Sequence, residues 1–240
     1  MNNLIKLPEE ILDFNKLIKD LKRGSTNLFA YGVSDSQRAF LISSLYNVMK
    51  SQVLVVAADS LEAKKISEDL AFFLGKERVV MFPTSSVIPY ETAAKSLESI
   101  AQRLKVMELL ILKKPVVVVA PIQAMLNKLV TPDIVKKFTL TLKMGESISM
   151  EYIITSLSSM GYERVDMIEG KGQFAVRGGI LDVFPLTREY PYRIEFFGDE
   201  VDSIREFDPE DQRSISKLFD IMICPAREVI YDKQTAVRAA

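Results

Sequence analysis

The sequence is short of the residues that metal binding and acid–base catalysis use most. Its 240 residues include no histidine, no tryptophan and one cysteine, Cys224. Histidine-dependent catalytic triads and zinc sites built from histidine and cysteine are therefore excluded. A single cysteine cannot close an internal disulfide, and the apolar neighbours Ile221, Met222 and Ile223 predict a buried thiol, which fits a reducing cytoplasm. We predict no catalytic residue, no metal site and no cofactor.

The chain also lacks long apolar runs and a marked excess of either charge. No apolar stretch approaches the roughly 20 residues of a transmembrane helix, and residues 1–22 are charged throughout and amphipathic, unlike a signal peptide. We expect a cytoplasmic protein with no membrane partner. The formal net charge is −1, and residues 172–214 carry five Arg or Lys against ten Asp or Glu. Because phosphate binding needs a basic excess, this segment is a poor candidate for DNA contact.

What is present is a globular composition with alternating helical and strand patterns. Hydrophobic residues make up 48% of the chain and charged residues 26%, as in ordinary globular domains. The periodicity predicts helices at 8–23, 37–50, 60–74 (with Ser60 as N-cap) and 95–113, and strands at 27–32, 52–57, 78–82 and 115–120. Apolar strands alternating with helices predict an α/β fold with a parallel sheet covered on both faces.

The pattern changes after Thr131. A strand at 137–143, a helix at 149–160, a strand at 162–168 and two β-rich runs around the turn-prone segment 186–191 predict a small α+β insert. A further strand at 216–226 is expected to rejoin the first sheet, and the chain then stops within the next helical pattern, as a fragment of a longer protein would. The predicted domains are therefore 1–131, an insert at 132–214, and 215–240 as the start of the second part of the α/β domain.

A nucleotide loop would belong between the first predicted strand and its helix. The pattern G-x-x-x-x-G-K-[ST] falls on residues 32–39, where only Gly32 matches. Gln37 replaces the second glycine, Arg38 replaces the lysine, and Ala39 lacks the hydroxyl that holds magnesium. Asp35 adds a negative charge where phosphates would lie. We predict a sheet of the RecA or P-loop type with a degenerate loop, and favour a plain connection over a nucleotide site.

A candidate protein-binding face lies in the strand predicted at 192–197. Alternation places Tyr192, Ile194 and Phe196 on a core face and puts Arg193 and Phe197 together on the other. An exposed aromatic beside an arginine is typical of protein-binding hot spots. The alternative is that Phe197 folds over its own 198–200 turn.

Other polar and glycine positions nearby are assigned to the fold. The pair Gly178-Gly179 predicts a bulge or a close backbone approach, and Asp182 is taken as structural. Asp199, Glu200 and Asp202 could be imagined as a metal or acid–base cluster, but alternating acids in a turn are more often solvated.

Four blocks of the sequence resemble one known module: 177–185 (RGGILDVFP), 193–200 (RIEFFGDE), 202–205 (DSIR) and 212–214 (QRS). The module is the small inserted domain shared by the excinuclease protein UvrB and the bacterial transcription-repair coupling factors. Residues 82–91 and 99–104 resemble the coupling factors, as does the degenerate loop, since UvrB would carry an intact one. The long hairpin by which UvrB clamps DNA has no counterpart in residues 82–103.

The resemblance implies a function and a set of contacts. In the family, the insert binds the excinuclease protein UvrA, and the matching contact positions here are Arg177, Arg193 and Phe197, which we expect to be solvent-exposed on one face. The resemblance implies a non-catalytic module that recruits UvrA to stalled RNA polymerase in nucleotide excision repair. Polymerase and DNA binding would lie elsewhere in the longer protein, and a carboxy-terminal domain would mask this face in the resting state.

Two other classes stay open. The chain could be part of a UvrB-like ATPase or a divergent P-loop nucleotide hydrolase, which nucleotide binding would reveal. It could also bind DNA directly, which the acidic insert argues against.

Overall fold

The computed structural model describes residues 10–24, 27–84, 93–126 and 128–228. Two compact units are present: Met1–Ser86 with Leu109–Asn127, and Val87–Glu108 with Lys128–Ala240. We call them unit 1 and unit 2. The elements of unit 1 are α1 (Leu12–Lys22), α2 (Asp35–Met49), β1 (Val53–Ala57), α3 (Ser60–Leu74), β2 (Val79–Met81) and β3 (Val117–Pro121). Helix α4 (Ala93–Ile111) carries residues of both units.

Unit 1 is built on a three-stranded parallel sheet in the order β1-β3-β2. The central strand β3 is buried at all five positions because its apolar side chains are covered on both faces. Helices α2 and α3 supply Tyr46 and Leu70 to the same core as Val117 and Val119. On the outer strand β1, Leu54 is 55% exposed whereas Val55 and Ala57 join the core, so among the described residues β1 is covered on one face only.

Most helices and strands predicted for unit 1 are confirmed, with two corrections. Residues 27–32 form no strand, since they do not join the hydrogen-bonded sheet, and Phe29 and Tyr31 lie exposed. The N-cap of α3 is Asp59 and not Ser60, because Asp59 is extended and its carboxylate accepts a 2.8 Å bond from the Glu62 amide. Three strands establish a parallel sheet but not a RecA-type fold.

Unit 2 contains a six-stranded sheet in the order β10-β9-β8-β7-β6-β5, antiparallel except for the parallel pair β5–β6. A second sheet pairs β11 with β4. The elements are α5 (Pro132–Lys137), β4 (Leu140–Lys143), α6 (Met150–Ser159), β5 (Glu163–Arg164), β6 (Gln173–Arg177), β7 (Ile180–Val183), β8 (Tyr192–Phe197), β9 (Glu200–Phe207), β10 (Ser214–Leu218) and β11 (Asp220–Ile223).

One face of the six-stranded sheet is the core of unit 2. Leu181, Ile194 and Ile204 lie opposite one another on β7, β8 and β9, and all three are buried. The core face predicted from the alternation in 192–197 is thus confirmed for Tyr192 and Ile194. The remaining side chains of these strands form the second face.

The end of the described chain departs from the prediction of one strand at 216–226 that rejoins the parallel sheet. Instead, β10 pairs with β9, and β11 pairs with β4. The physical reason is that the buried side chains of β11 match the alternate buried positions Leu140 and Leu142 of β4. The strand predicted at 137–143 starts only at Leu140, because Pro132 begins helix α5. The domain boundaries at 132 and 214 stay a prediction.

Within unit 2, a buried ion pair ties α4 to the loop between β7 and β8. The Glu108 carboxylate, on α4, is 3% exposed and accepts bonds of 2.6 and 3.0 Å from the two terminal nitrogens of Arg188. The Nε of Arg188 donates to the Tyr192 hydroxyl at 2.7 Å. Because both Glu108 oxygens are matched by one guanidinium, the carboxylate can stay charged in the interior.

Candidate protein-binding face of the antiparallel sheet

The second face of the six-stranded sheet is lined by charged side chains from adjacent strands. Asp182 on β7 lies directly opposite Arg193 on β8, and Arg193 lies opposite Arg205 on β9. Arg177 ends β6, opposite Ile180. Side chains at alternate positions share a face. We call this surface the arginine face: Arg177, Asp182, Arg193, Glu195, Phe197 and Arg205.

Asp182 organises the two predicted contact arginines. Its buried carboxylate receives two bonds from Arg193, at 2.7 and 2.8 Å, and one from Arg177 at 3.1 Å. Arg193 also donates to the Gln212 side chain at 2.7 Å, and its guanidinium stacks 4.2 Å from the centre of the Phe207 ring. The hydrogen bonds to Asp182 raise the pKa of Arg193, so its charge is fixed.

The expected exposure of the three contact residues holds for two of them. Phe197 is 83% exposed and the side chain of Arg177 is 51% exposed. The Arg193 side chain is only 13% exposed, so the expectation that it points to solvent is wrong. The cause is the buried Asp182, which draws the guanidinium onto the sheet.

Phe197 stands at the tip of the hairpin formed by β8 and β9. Opposite Glu200, it precedes a two-residue turn in which Gly198 has a φ of +63°. At 83% exposure its ring is not folded onto that turn. The register of β9 shifts between its pairings with Glu195 and Phe196, which leaves Asp202 as an extra residue.

The glycine pair positions the strand that carries Phe197. Gly178 and Gly179 form the turn between β6 and β7, so the bulge interpretation is wrong, whereas the predicted close approach is confirmed. The Gly179 carbonyl accepts a 2.8 Å bond from the Phe196 amide, and a Cβ on Gly179 would lie 2.9 Å from the Phe196 oxygen. Only a residue without a side chain lets the turn reach this strand.

The other carboxylate of the face is also satisfied within the sheet. Glu195 accepts bonds from the Ser203 hydroxyl at 2.7 Å and from Arg205 at 2.5 Å. These contacts, that of Ser203 foremost, lower the pKa of Glu195. Both acids of the arginine face are therefore already paired with cations of the same face.

Part of this chain matches a family model, and the whole chain matches several known proteins. Residues 140–229 match the family model described as the UvrB interaction domain, which includes the whole arginine face. The chain is 36% identical over 239 residues to a transcription-repair-coupling factor of Bacillus subtilis (strain 168), covering 100% of this chain and 20% of that protein. It is 29% identical over 234 residues to that of Staphylococcus aureus (strain USA300), covering 98% of this chain and 20% of the relative.

Over its whole length the chain is similar to part of the transcription-repair-coupling factors. It spans about a fifth of the length of the curated relatives it matches. The match to the family model includes β10 and β11.

The segment predicted as a degenerate nucleotide loop, residues 32–39, is used by the fold. Gly32 has a φ of +74°, and the Gln37 side chain accepts a 3.0 Å bond from the Ser34 amide at the start of α2. Arg38 pairs with Asp35 and, at 3.1 Å, with Glu62 on α3. Ala39 is buried in the core. The residues at the phosphate-binding positions thus cap α2, join it to α3 and fill the interior.

In the described ranges, no group of three or more His, Cys, Asp or Glu side chains could hold a metal ion. No helix in the same part of the chain is both long and apolar enough to cross a membrane.

Sequence reasoning misses the residues that support this site. It assigns Asp182 to the fold without a role, and it does not connect Gln212 to Arg193. A signal for Asp182 is present, because an acid between Leu181 and Val183 interrupts an apolar strand and must find a cation if buried. Gln212 lies in a loop after β9, and no local pattern indicates its contact.

Proposed function

We propose that this chain is a non-catalytic interaction module of a transcription-repair-coupling factor, and that it binds the excinuclease protein UvrA through the arginine face. The proposal is carried by one observation: Phe197 is exposed and Arg177 is half exposed on the same arginine face, and hydrogen bonds to Asp182 stabilise the sheet there. Recruitment of UvrA to a stalled RNA polymerase is the function that such a contact would serve. Contacts with polymerase and DNA, and masking by a carboxy-terminal domain, are assigned to the rest of the longer protein.

The chemistry of the face suits an acidic partner surface with an apolar recess. Arg177 is bonded to Asp182 through one nitrogen and is half exposed, so its guanidinium can hold a partner carboxylate. Phe197 offers a large rigid side chain that is already exposed in the free chain and costs little entropy to bury. Arg193 acts through Asp182 by holding the face in place.

The proposal that the module is non-catalytic rests on residues 35–39, which occupy the positions where a nucleotide loop would bind phosphate. Gln37, Arg38 and Ala39 serve the fold, and Asp35 stands at the start of α2, where an anion would bind. A nucleotide would have to break the Arg38 ion pairs and approach the Asp35 carboxylate.

The test is a titration of the chain with purified UvrA. We expect Phe197→Ala and Arg177→Ala each to weaken binding at least about tenfold, equivalent to about 1.4 kcal/mol, with an unchanged melting temperature. The Arg177 effect should shrink as salt rises, because exposed charges are screened, whereas the Phe197 effect should persist. The control is Phe72→Ala, which removes an exposed phenylalanine from α3. Binding within twofold of the unaltered chain for both face variants would refute the proposed surface.

A further inference from the structure

A second exposed phenylalanine lies directly after β10, the edge strand of the six-stranded sheet. Among the described large apolar residues of unit 2, Phe197 and Phe219 are the two most exposed, at 83% and 77%. Phe219 follows directly after β10, and its carbonyl accepts a 2.9 Å bond from the Met144 amide. The ring itself is mostly in water, so the fold gives no reason for an aromatic side chain at this position.

The strand register places Lys217 on the arginine face. Lys217 on β10 lies opposite Arg205, which lies opposite Arg193. Because residues directly opposite each other share a face, Lys217 belongs with these arginines, and Phe219 lies two residues further along, in the bend that follows β10. Strands are spaced about 4.8 Å apart, so the face from β6 to β10 is about 19 Å wide. One interface of about 800 Å² on each partner can cover that width.

The charges of this row are unbalanced at the β10 end. Lys217, Arg205 and Arg193 lie side by side on three neighbouring strands, and like charges directly opposite each other repel. Asp182 compensates Arg193, and Glu195 compensates Arg205. Exposed Lys217 forms no ion pair with any residue of the described ranges. An acidic partner surface would relieve this repulsion, while a basic one would increase it.

The arginine face thus carries the exposed Phe197 and the cation Arg177, and its β10 edge carries the cation Lys217 with the exposed Phe219 two residues further along the chain. We infer that Phe219 and Lys217 form a second anchor, so that the surface contacting UvrA spans the sheet from Arg177 to Phe219. This inference rests on the proposed function. The partner surface would carry carboxylates opposite Lys217 and an apolar recess for the Phe219 ring. Sequence reasoning does not single out this anchor, because it places Phe219 inside one continuous strand.

The experiment is a titration of the same chain with UvrA, using variants at the β10 end. Phe219→Ala should weaken binding at least about tenfold with an unchanged melting temperature, and Phe219→Leu should restore much of the affinity. Tyr152→Ala, which removes an exposed aromatic from α6, should leave binding unchanged. Lys217→Glu should weaken binding most at low salt. Its control is Lys64→Glu on α3, which makes the same change in net charge at another exposed position.

The outcomes separate this inference from the proposed function. If Phe197→Ala weakens binding and Phe219→Ala binds within twofold of the unaltered chain, the second anchor is refuted and the proposed function stands. If Phe219→Ala weakens binding and both Phe197→Ala and Arg177→Ala do not, the single continuous surface is refuted. An unaltered chain that does not bind UvrA overturns both.

Discussion

Asp182 is a buried carboxylate whose charge is matched from both sides by arginines of neighbouring strands. Arg193 meets it with two nitrogens and Arg177 with one. The two arginines therefore differ in role. Arg193 stabilises the sheet through Asp182, while Arg177 keeps half of its side chain in solvent. A binding measurement alone cannot distinguish these tasks, but stability can.

We predict that Arg193→Ala lowers the free energy of unfolding by about 2 kcal/mol, because a buried acceptor loses two of its three donors. Arg177→Ala should change it by less than about 0.5 kcal/mol, since that side chain is half exposed. Urea denaturation of both variants measures the difference. Equal stability of the two variants would mean that Asp182 does not need Arg193.

The lowered pKa of Glu195 predicts how the stability of the fold depends on pH. A carboxyl group whose pKa is lower in the folded state stabilises the fold above its unfolded value, about 4.3 for glutamate, and this contribution is lost as pH falls through the lowered pKa. Because the Ser203 hydroxyl is the foremost cause, Ser203→Ala should raise the pKa of Glu195. The difference in free energy of unfolding between Ser203→Ala and the unaltered chain should then shrink as the pH falls through the lowered pKa of Glu195.

Carboxyl titration by nuclear magnetic resonance measures this shift. Ser216→Ala is the matched control, since the Ser216 hydroxyl donates to Glu206 and not to Glu195. An unchanged Glu195 titration in Ser203→Ala would contradict the leading role of the Ser203 hydroxyl in lowering this pKa.

At the scale of elements, the turn between β6 and β7 sets the position of β8. We predict that Gly179→Ala lowers both the melting temperature and the affinity for UvrA, because its Cβ would lie 2.9 Å from the Phe196 carbonyl oxygen. Gly170→Ala is the control, since open space surrounds that position. Loss of binding at an unchanged melting temperature would instead assign the turn to the interface.

The sequence predicts an element correctly when the residues that pair with it or pack on it lie close by in the sequence. The alternation within β8 correctly separates Ile194 from Phe197, because a strand's two faces follow from its own residues. The strand predicted at 27–32 fails because pairing, and not apolar content, makes a strand. The segment at 216–226 divides into two strands for the same reason: its partners β9 and β4 are far apart in the sequence. Likewise, the exposure of Phe197 is predictable, whereas the burial of Arg193 depends on Asp182 from another strand.

At the scale of the whole molecule, the α/β unit is expected to act as a platform and not as a nucleotide-driven element. ATP with magnesium should leave the melting temperature unchanged relative to a sulfate control. Binding at a hundred times the dissociation constant would add about 2.7 kcal/mol of stability, which a thermal scan would detect. Reproducible stabilisation by ATP would favour the nucleotide hydrolase alternative.

The ion pair between Glu108 and Arg188 has a consequence for how the protein is made. Glu108 and Arg188 are 80 positions apart in the sequence. At a synthesis rate of about 5–20 residues per second, Glu108 leaves the ribosome roughly 4–16 seconds before Arg188 does. During that interval the Glu108 carboxylate must stay in water, because burying it unpaired is too costly. Unit 2 therefore completes its folding only after the loop between β7 and β8 has been synthesised. That loop then packs against helix α4, which was translated earlier.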